Sequence, residues 1–366
     1  SNQLNQIRLY GDLANGGTLD WCIIGNFDDY PDRENFDSVR KIFHYHKQYE
    51  QYYGHFSPKT KIMLVKEGDR RELCAEYRGI FRMLKETHLQ FTIVKADALK
   101  DKLAELDDYD YIILPDVHTL PDEVVKALGN TRAVVVGTGL TMDESDKCLK
   151  EVFGVEVSEK ITDVRGTYLK TMPEDVFADF AKTGKAWVFL DDPYRKMKLL
   201  PVTKGYLPLI EKTMFGPPER CFGHQETDDA MMSIFGGKNI YVPWNIGTLY
   251  YKLGYDEFKK LLLDIMKAAG DLPYSFDTTV PEMVEMILSE CEPGTYMLQL
   301  INLTGYNGMT FFAPREMKNL SVKFREINPV HVEELTDHGL ETIAYENGMT
   351  FDLKEGELYK AFLIHV

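Results

Sequence analysis

The chain has 366 residues, 44% of them hydrophobic and 27% charged, with a formal net charge of −16 from 58 acidic against 42 basic residues. That length favours two or three domains over one core, and the acidic balance, with no dense Lys/Arg cluster, excludes nucleic acid and anionic membrane as natural partners. No apolar run approaches the roughly 20 residues that a bilayer span needs, and five widely spaced cysteines without a CxxC (Cys22, Cys74, Cys148, Cys221, Cys291) point to free thiols in a reducing, cytoplasmic compartment.

The first residues, Ser1-Asn2-Gln3, lack an initiator Met, as expected of a trimmed chain whose natural start lies upstream. LDWCIIGNFDDYPDRENF (19–36) then reads as a strand, an acidic loop and the start of a helix. Phe36, Val39, Phe43, Tyr49 and Tyr53 recur at roughly helical spacing, and Gly54 supplies a stop. Nothing before this βα unit offers the strand a ladder partner, so it is an orphan whose helix is expected to pack on the next domain. Trp21, Ile23 and Gly25, or their alternates, are then expected to form a sticky apolar edge.

After Pro58 a regular alternation begins. KIMLVKEG (61–68), QFTIVKA (90–96), YDYIILPDV (109–117) and TRAVVVGTGL (131–140) are apolar, β-branched runs of strand length. Between them lie RELCAEYRGIFRMLKETH (71–88), with Leu73, Tyr77, Ile80, Phe81 and Leu84 on one helical face, the short ALKDKLAEL, and PDEVVKALG. This pattern predicts an α/β fold, a parallel sheet with helices on both faces. Residues 141–240 suggest a helix at DESDKCLKEVF, strands at TYLK and AWVFLDD, and a loop-rich tract from 216 to 238. NIYVPWNIG (239–247) reads as a strand and DEFKKLLLDIMKAAG (256–270) as a helix ended by Gly270. From Leu272, strand-like runs separated by turns (EMVEMILSE, TYMLQLINLTG, LSVKFREI, HVEELT, ETIAYE, MTFDL, LYKAFLIHV) predict a small antiparallel β sandwich.

Few residues carry an evident chemistry. Asn26, Asp28 and Asp29 follow the opening strand, where a barrel strand would place a substrate rim, and the same residue types end strands and cap helices. Gly137-Thr138-Gly139 has neither the third glycine of a dinucleotide fingerprint nor a nearby Cys, since Cys148 falls inside the following helix. His118 has no nucleophile beside it and reads as a loop residue; His44 and His46, two apart on a helix, point away from each other. His224, Glu226, Asp228 and Asp229 share one tract but lack metal-fixing spacing and read as a solvated acidic loop. Trp187 and Trp244 could stack on a sugar, but both sit in apolar strands, where core packing is the expectation. No cofactor or metal is expected. The two sequons, at Asn302 and Asn319, are read as coincidence.

The order of segments resembles the C-terminal portion of family 42 glycoside hydrolases, which are β-galactosidase-like, and of a related group of hypothetical glycosyl hydrolases. Residues 10–54 look like the last strand and helix of their (β/α)8 barrel, and KIMLVKEG through VVVGTGLT looks like their trimerisation domain. That domain is flavodoxin-like and akin to class I glutamine amidotransferases without the nucleophile. PPERCFG, NIYVPWNIGTLYYKLGY and LQLINLTG look like later segments of the group. The resemblance implies three domains, at 1–57, 58–271 and 272–366, a homo-oligomer that is a trimer or another symmetric assembly, and a carbohydrate substrate bound by the parent barrel. It also implies a retaining mechanism whose two Glu lie on earlier barrel strands, about 5 to 5.5 Å apart, so that no catalytic residue falls in this chain. The alternative is a stand-alone carbohydrate-binding or scaffold protein.

Overall fold

The computed structural model describes residues 2–23, 25–29, 31, 33–68, 74–140, 146–171, 176–214, 216–217, 219 and 222–366, and all but the side chains of Phe27 and Cys74 among them. The chain opens with helices α1 (Asn2–Ala14) and α2 (Glu34–Tyr49) and the short strand β1 (Ser57–Pro58). It continues through β2 (Ile62–Lys66), α3 (Cys74–Glu86), β3 (Phe91–Lys95), β4 (Tyr111–Pro115), α4 (Asp122–Asn130), β5 (Val134–Thr138) and α5 (Lys147–Glu151). Then follow β6 (Val155–Val157), β7 (Thr167–Lys170), α6 (Ala178–Ala181), β8 (Trp187–Leu190), β9 (Met197–Leu199), β10 (Thr203–Ile210), β11 (Glu226–Phe235), β12 (Asn239–Val242), α7 (Ile246–Leu253) and α8 (Asp256–Lys267). The last part is all β: β13 (Phe276–Thr278), β14 (Val284–Glu292), β15 (Thr295–Asn302), β16 (Met317–Phe324), β17 (His331–Thr336), β18 (Gly339–Ile343), β19 (Met349–Leu353) and β20 (Tyr359–His365).

These elements form two compact units. The first comprises Ser1–Lys59, Lys85–Gln90 and Tyr274–Val366; the second comprises Thr60–Leu84 and Phe91–Pro273.

The second unit is the mixed α/β part. Its nine-stranded sheet has the order β3-β2-β4-β5-β12-β11-β10-β7-β8. The first five strands are parallel, with Ile62 opposite Phe91 and Tyr111, Ile113 opposite Val136 and Ile240 opposite Val136. The remaining strands continue antiparallel. β4 and β5 are buried along their whole length, which is why their runs are continuously apolar rather than alternating. Leu114, Val135, Val124, Leu128, Leu149 and Phe153 share one core on a face of this sheet.

Two expectations change here, and a third falls outside the described residues. The tract at 216–238 holds β11 in place of a loop: its polar start finds a ladder partner in β10, and its apolar end pairs with both β10 and β12. The strand at NIYVPWNIG stops at Val242, and Ile246–Leu253 is a helix, closed by Gly254 at φ 67. Leu73, expected on the α3 face, lies outside the described residues, as do Cys221 and residues 143–145 of the expected DESDKCLKEVF helix.

The first unit pairs two antiparallel sheets, β1-β14-β15-β20-β17-β18 and β13-β16-β19. Residues of both, among them Leu288, Leu298, Phe362, Val322, Phe351 and Leu353, form one core, as a β sandwich requires. On the other face of the larger sheet, Leu9, Leu13, Val39 and Ile42 of the two N-terminal helices pack with Met297, Ile301, Ala361 and Leu363. Polar bonds tie this layer down. Tyr53 and Tyr359 share a hydroxyl bond of 2.8 Å, Tyr359 donates to Gln299 Oε1 at 2.5 Å, and Gln299 donates to the Ala14 carbonyl at 3.1 Å.

The opening strand is not formed. Among the described residues of 19–26 there is no strand, and Phe27–Asp29 is a single 3-10 turn. A strand without a ladder partner leaves its amides to solvent, so the segment stays irregular. Trp21 turns back to meet Phe36 edge-on at 5.2 Å, and Trp21 and Ile23 are half-buried, so no apolar strand edge results. The helix was expected to pack on the α/β domain; its apolar face is covered by the β sandwich sheet, with α1, which the sequence pattern does not predict, beside it.

Candidate functional site

The parallel strands of the α/β unit end together. Asp116 follows β4 in the left-handed region at φ 51, and its amide donates to the Thr138 carbonyl at 2.7 Å. Gly139 follows β5 at φ 108, and its amide donates to the carbonyls of Val242 and Trp244 beyond β12. A Cβ at Gly139 would lie 2.3 Å from Asp116 Oδ1. Glycine is therefore required twice over, for its φ and for the approach of that carboxylate.

Below them lies Glu76, on the first turn of α3 and only 2% exposed. Thr138 Oγ1 donates to Oε1 at 2.7 Å and the Thr248 amide donates to Oε2 at 2.7 Å. The second bond makes Glu76 the acceptor for the N-terminus of α7, whose preceding residue, Asn245, supplies no side-chain cap. Burial raises the Glu76 carboxyl to about 7, against the opposing pull of the bonds from Thr138, Thr248 and Gly247. The two helices touch backbone to backbone: a Cβ on Gly79 would fall 1.8 Å from the Gly247 carbonyl oxygen, and one on Gly247 would fall 2.2 Å from that of Glu76.

Across the opening, Asp192 is buried and fully engaged. Asn245 Nδ2 donates to Oδ2 at 2.8 Å, and Lys252 Nζ sits 3.3 Å from Oδ1. Together with Lys160 and the apolar Ala75, Leu140 and Pro193, these groups line a cavity of about 410 Å³. Its place beyond the carboxyl ends of parallel strands is where open α/β sheets hold ligands.

The arrangement can bind, and Thr138 is not presented as a nucleophile. Thr138, at the centre of Gly137-Thr138-Gly139, is 0% exposed and its hydroxyl proton is committed to Glu76, whereas attack needs an accessible, activated oxygen.

The residues singled out from sequence lie elsewhere. Asn26, Asp28 and Asp29 are exposed in the first unit, and Asn26 Oδ1 accepts the Asp28 amide at 3.2 Å, a local turn bond. His118 is half-buried and its amide donates to Glu67 Oε2 at 2.9 Å. Glu226 and Asp229 are on β11, paired with Lys170 at 2.6 Å and Lys196 at 2.7 Å. No cluster of three metal-ligating side chains occurs among the described residues. Trp244 is in the core, with Nε1 donating to the Met231 carbonyl at 2.9 Å. Trp187 departs from the core expectation: it is 42% exposed on edge strand β8, beside Tyr168 at 5.5 Å and His224 at 5.7 Å. Sequence reasoning missed Glu76, Asp192 and Asn245. Asp116 and Asp192 had a faint signal, each closing an apolar strand run; Glu76 had none, because its partners are 62 and 172 residues away.

The sequence matches no family model and no curated protein. The fold is that of solved glycoside hydrolases. An α-L-fucosidase isoenzyme 2 from Paenibacillus thiaminolyticus superposes with a TM-score of 0.74 at 15% identity, over 100% of this chain and 57% of that one. A β-galactosidase from the psychrophilic Marinomonas ef1 gives a TM-score of 0.50 at 10% identity, over 93% of this chain and 43% of that one. This chain thus spans about half the length of these enzymes. No helix among the described residues is long and apolar enough to cross a membrane.

Proposed function

We propose that this chain is the non-catalytic C-terminal assembly region of a glycoside hydrolase with the layout of family 42 and its relatives. The observation that carries the reading is the superposition of the entire chain on little more than half of a fucosidase. In this reading residues 1–57 follow the barrel as its last helical segment, 58–271 are a flavodoxin-like, amidotransferase-related domain that trimerises, and 272–366 are the tail domain. The strand order β3-β2-β4-β5-β12 supports the flavodoxin-like part. The parent is a retaining enzyme acting on β-galactoside-like or related glycosides, with its two catalytic Glu outside this chain. The buried thiols of Cys148 and Cys291 suit a cytoplasmic setting; burial pushes Cys291 up to about 11, which makes it inert.

Two measurements test this. An immunoblot of source cells should show a polypeptide larger by roughly 200 residues, the bulk of a barrel, and this chain alone should not hydrolyse nitrophenyl glycosides. A natural product of this chain's own mass overturns the reading. For assembly, the exposed Trp187 on edge strand β8, with Tyr168 of the neighbouring β7 beside it, supports self-association there. Light scattering should give a symmetric oligomer that Trp187→Glu dissociates, and a wild-type monomer at high concentration counts against it.

The same exposed ring favours one second reading, a carbohydrate-binding protein in its own right. Quenching of Trp fluorescence by a sugar, abolished in Trp187→Phe, would support it; unchanged fluorescence across a sugar panel would remove it.

A further inference from the structure

We propose that the cavity beyond the parallel strand ends binds a small, neutral, polyhydroxylated molecule of about monosaccharide size. This stands independently of the assembly reading, because it follows from the lining alone.

The charge of the described lining residues does not favour the simpler ligands. Among the described residues of the lining, the carboxylates of Asp116 and Asp192 are matched in number by the ammonium groups of Lys160 and Lys252. Glu76, bonded at both oxygens and raised to about 7 by burial, is about half protonated at neutral pH and adds a partial negative charge. A net cation or anion would therefore meet little net attraction from these groups. What the wall does offer is a mixture of acceptors and donors, carboxylate oxygens beside lysine N–H groups. A hydroxyl is the common ligand group that both donates and accepts, so several hydroxyls on one rigid frame satisfy such a wall with the fewest orphans. Ala75, Leu140 and Pro193 supply an apolar patch for the C–H face of that frame. The volume of about 410 Å³ is within the usual range for small-molecule sites.

Asn245 provides a second, separate indication. Its Oδ1 is shielded from solvent and has no donor. The Nδ2 bond to Asp192 fixes the amide's orientation, because the flipped amide would set two acceptors against each other. A buried acceptor of this kind costs free energy until a donor arrives, and a ligand hydroxyl supplies one with a small shift of the amide.

The test uses the whole chain at neutral pH and saturation-transfer NMR with D-galactose, L-fucose and D-mannose, and with methylammonium and inorganic phosphate as charged controls. At least one monosaccharide should bind with a Kd on the order of 1 mM or below. Lys160→Met, on the exposed rim, should weaken it at least about fivefold with an unchanged melting temperature, and Asn245→Ala should weaken it too. Transfer to no monosaccharide, transfer to the charged probes only, or sugar binding unaffected by both variants would each overturn the proposal. Sugar binding lost in Trp187→Ala but retained in the cavity variants would place the site on β8 and would overturn it equally.

Discussion

Replacing Glu76 by Gln should abolish a pH dependence of stability that the structure builds into the α/β unit. Burial moves this carboxyl from 4.5 to about 7, so between those values the folded protein holds a proton that the unfolded chain has released. Stability must then fall as pH rises from 4.5 to 7 and level off above, with the neutral form's advantage complete only below 4.5. At about 1.4 kcal/mol per unit, the total is roughly 3 kcal/mol. Gln can keep both bonds, its oxygen accepting the Thr248 amide and its NH2 donating to a turned Thr138 hydroxyl. It carries no charge to desolvate. The variant should therefore equal or fall slightly below wild type at pH 4.5 and exceed it at pH 8. For a unit of this size a gain of that order corresponds to roughly 6 to 12 °C in Tm. Thermal unfolding followed by the fluorescence of buried Trp244, across this pH range, makes the comparison. Parallel Tm curves for the two proteins would refute the reasoning.

Other contacts yield sharp expectations. Gly79→Ala must separate α3 from α7, since its Cβ would sit 1.8 Å from the Gly247 oxygen; a loss of about 3 kcal/mol or more in urea unfolding is expected, and near-neutral stability would show that the helices slide apart freely. Tyr111→Phe removes a hydroxyl that donates to the Gly270 carbonyl at 2.7 Å, where α8 ends, and should cost about 1 to 2 kcal/mol by the same assay. In the first unit, Gln90 donates to the His88 and Met286 carbonyls and accepts the Leu288 amide. Gln90→Leu strips β14 of these bonds and should cost roughly 2 to 4 kcal/mol, with faster hydrogen exchange at Leu288 as the local signature.

Much of the fold was legible because it is local. The runs IMLVK, YIILP and VVVGT are long enough and apolar enough to be buried strands wherever they stand, and the turn-rich β pattern after Leu272 specified strands one by one. Trp244 went to the core as its surroundings implied. Reading failed where identity depends on a partner. The run around Trp21 has strand composition but no ladder neighbour, and its described residues form no strand. The polar start of β11 has poor strand composition, but β10 lies beside it as a ladder partner and the apolar end of β11 pairs with β12 as well, so it does. Trp187 lies in an apolar run yet is exposed, because β8 is the sheet's edge and nothing in its own sequence says so.

The cavity shows the same division most clearly. Sequence by itself determined the alternation of strands and helices, hence a parallel sheet, hence an end of that sheet at which side chains converge. Only the tertiary structure decided which ones converge. Glu76 meets Thr138 and the start of α7, and Asp192 meets Asn245 and Lys252, across separations of 53 to 172 residues. Hydrophobic periodicity is a property of neighbours along the chain, whereas the raised pKa of Glu76 and the balance of charge around the cavity come from burial and proximity, which exist only once the chain has closed upon itself.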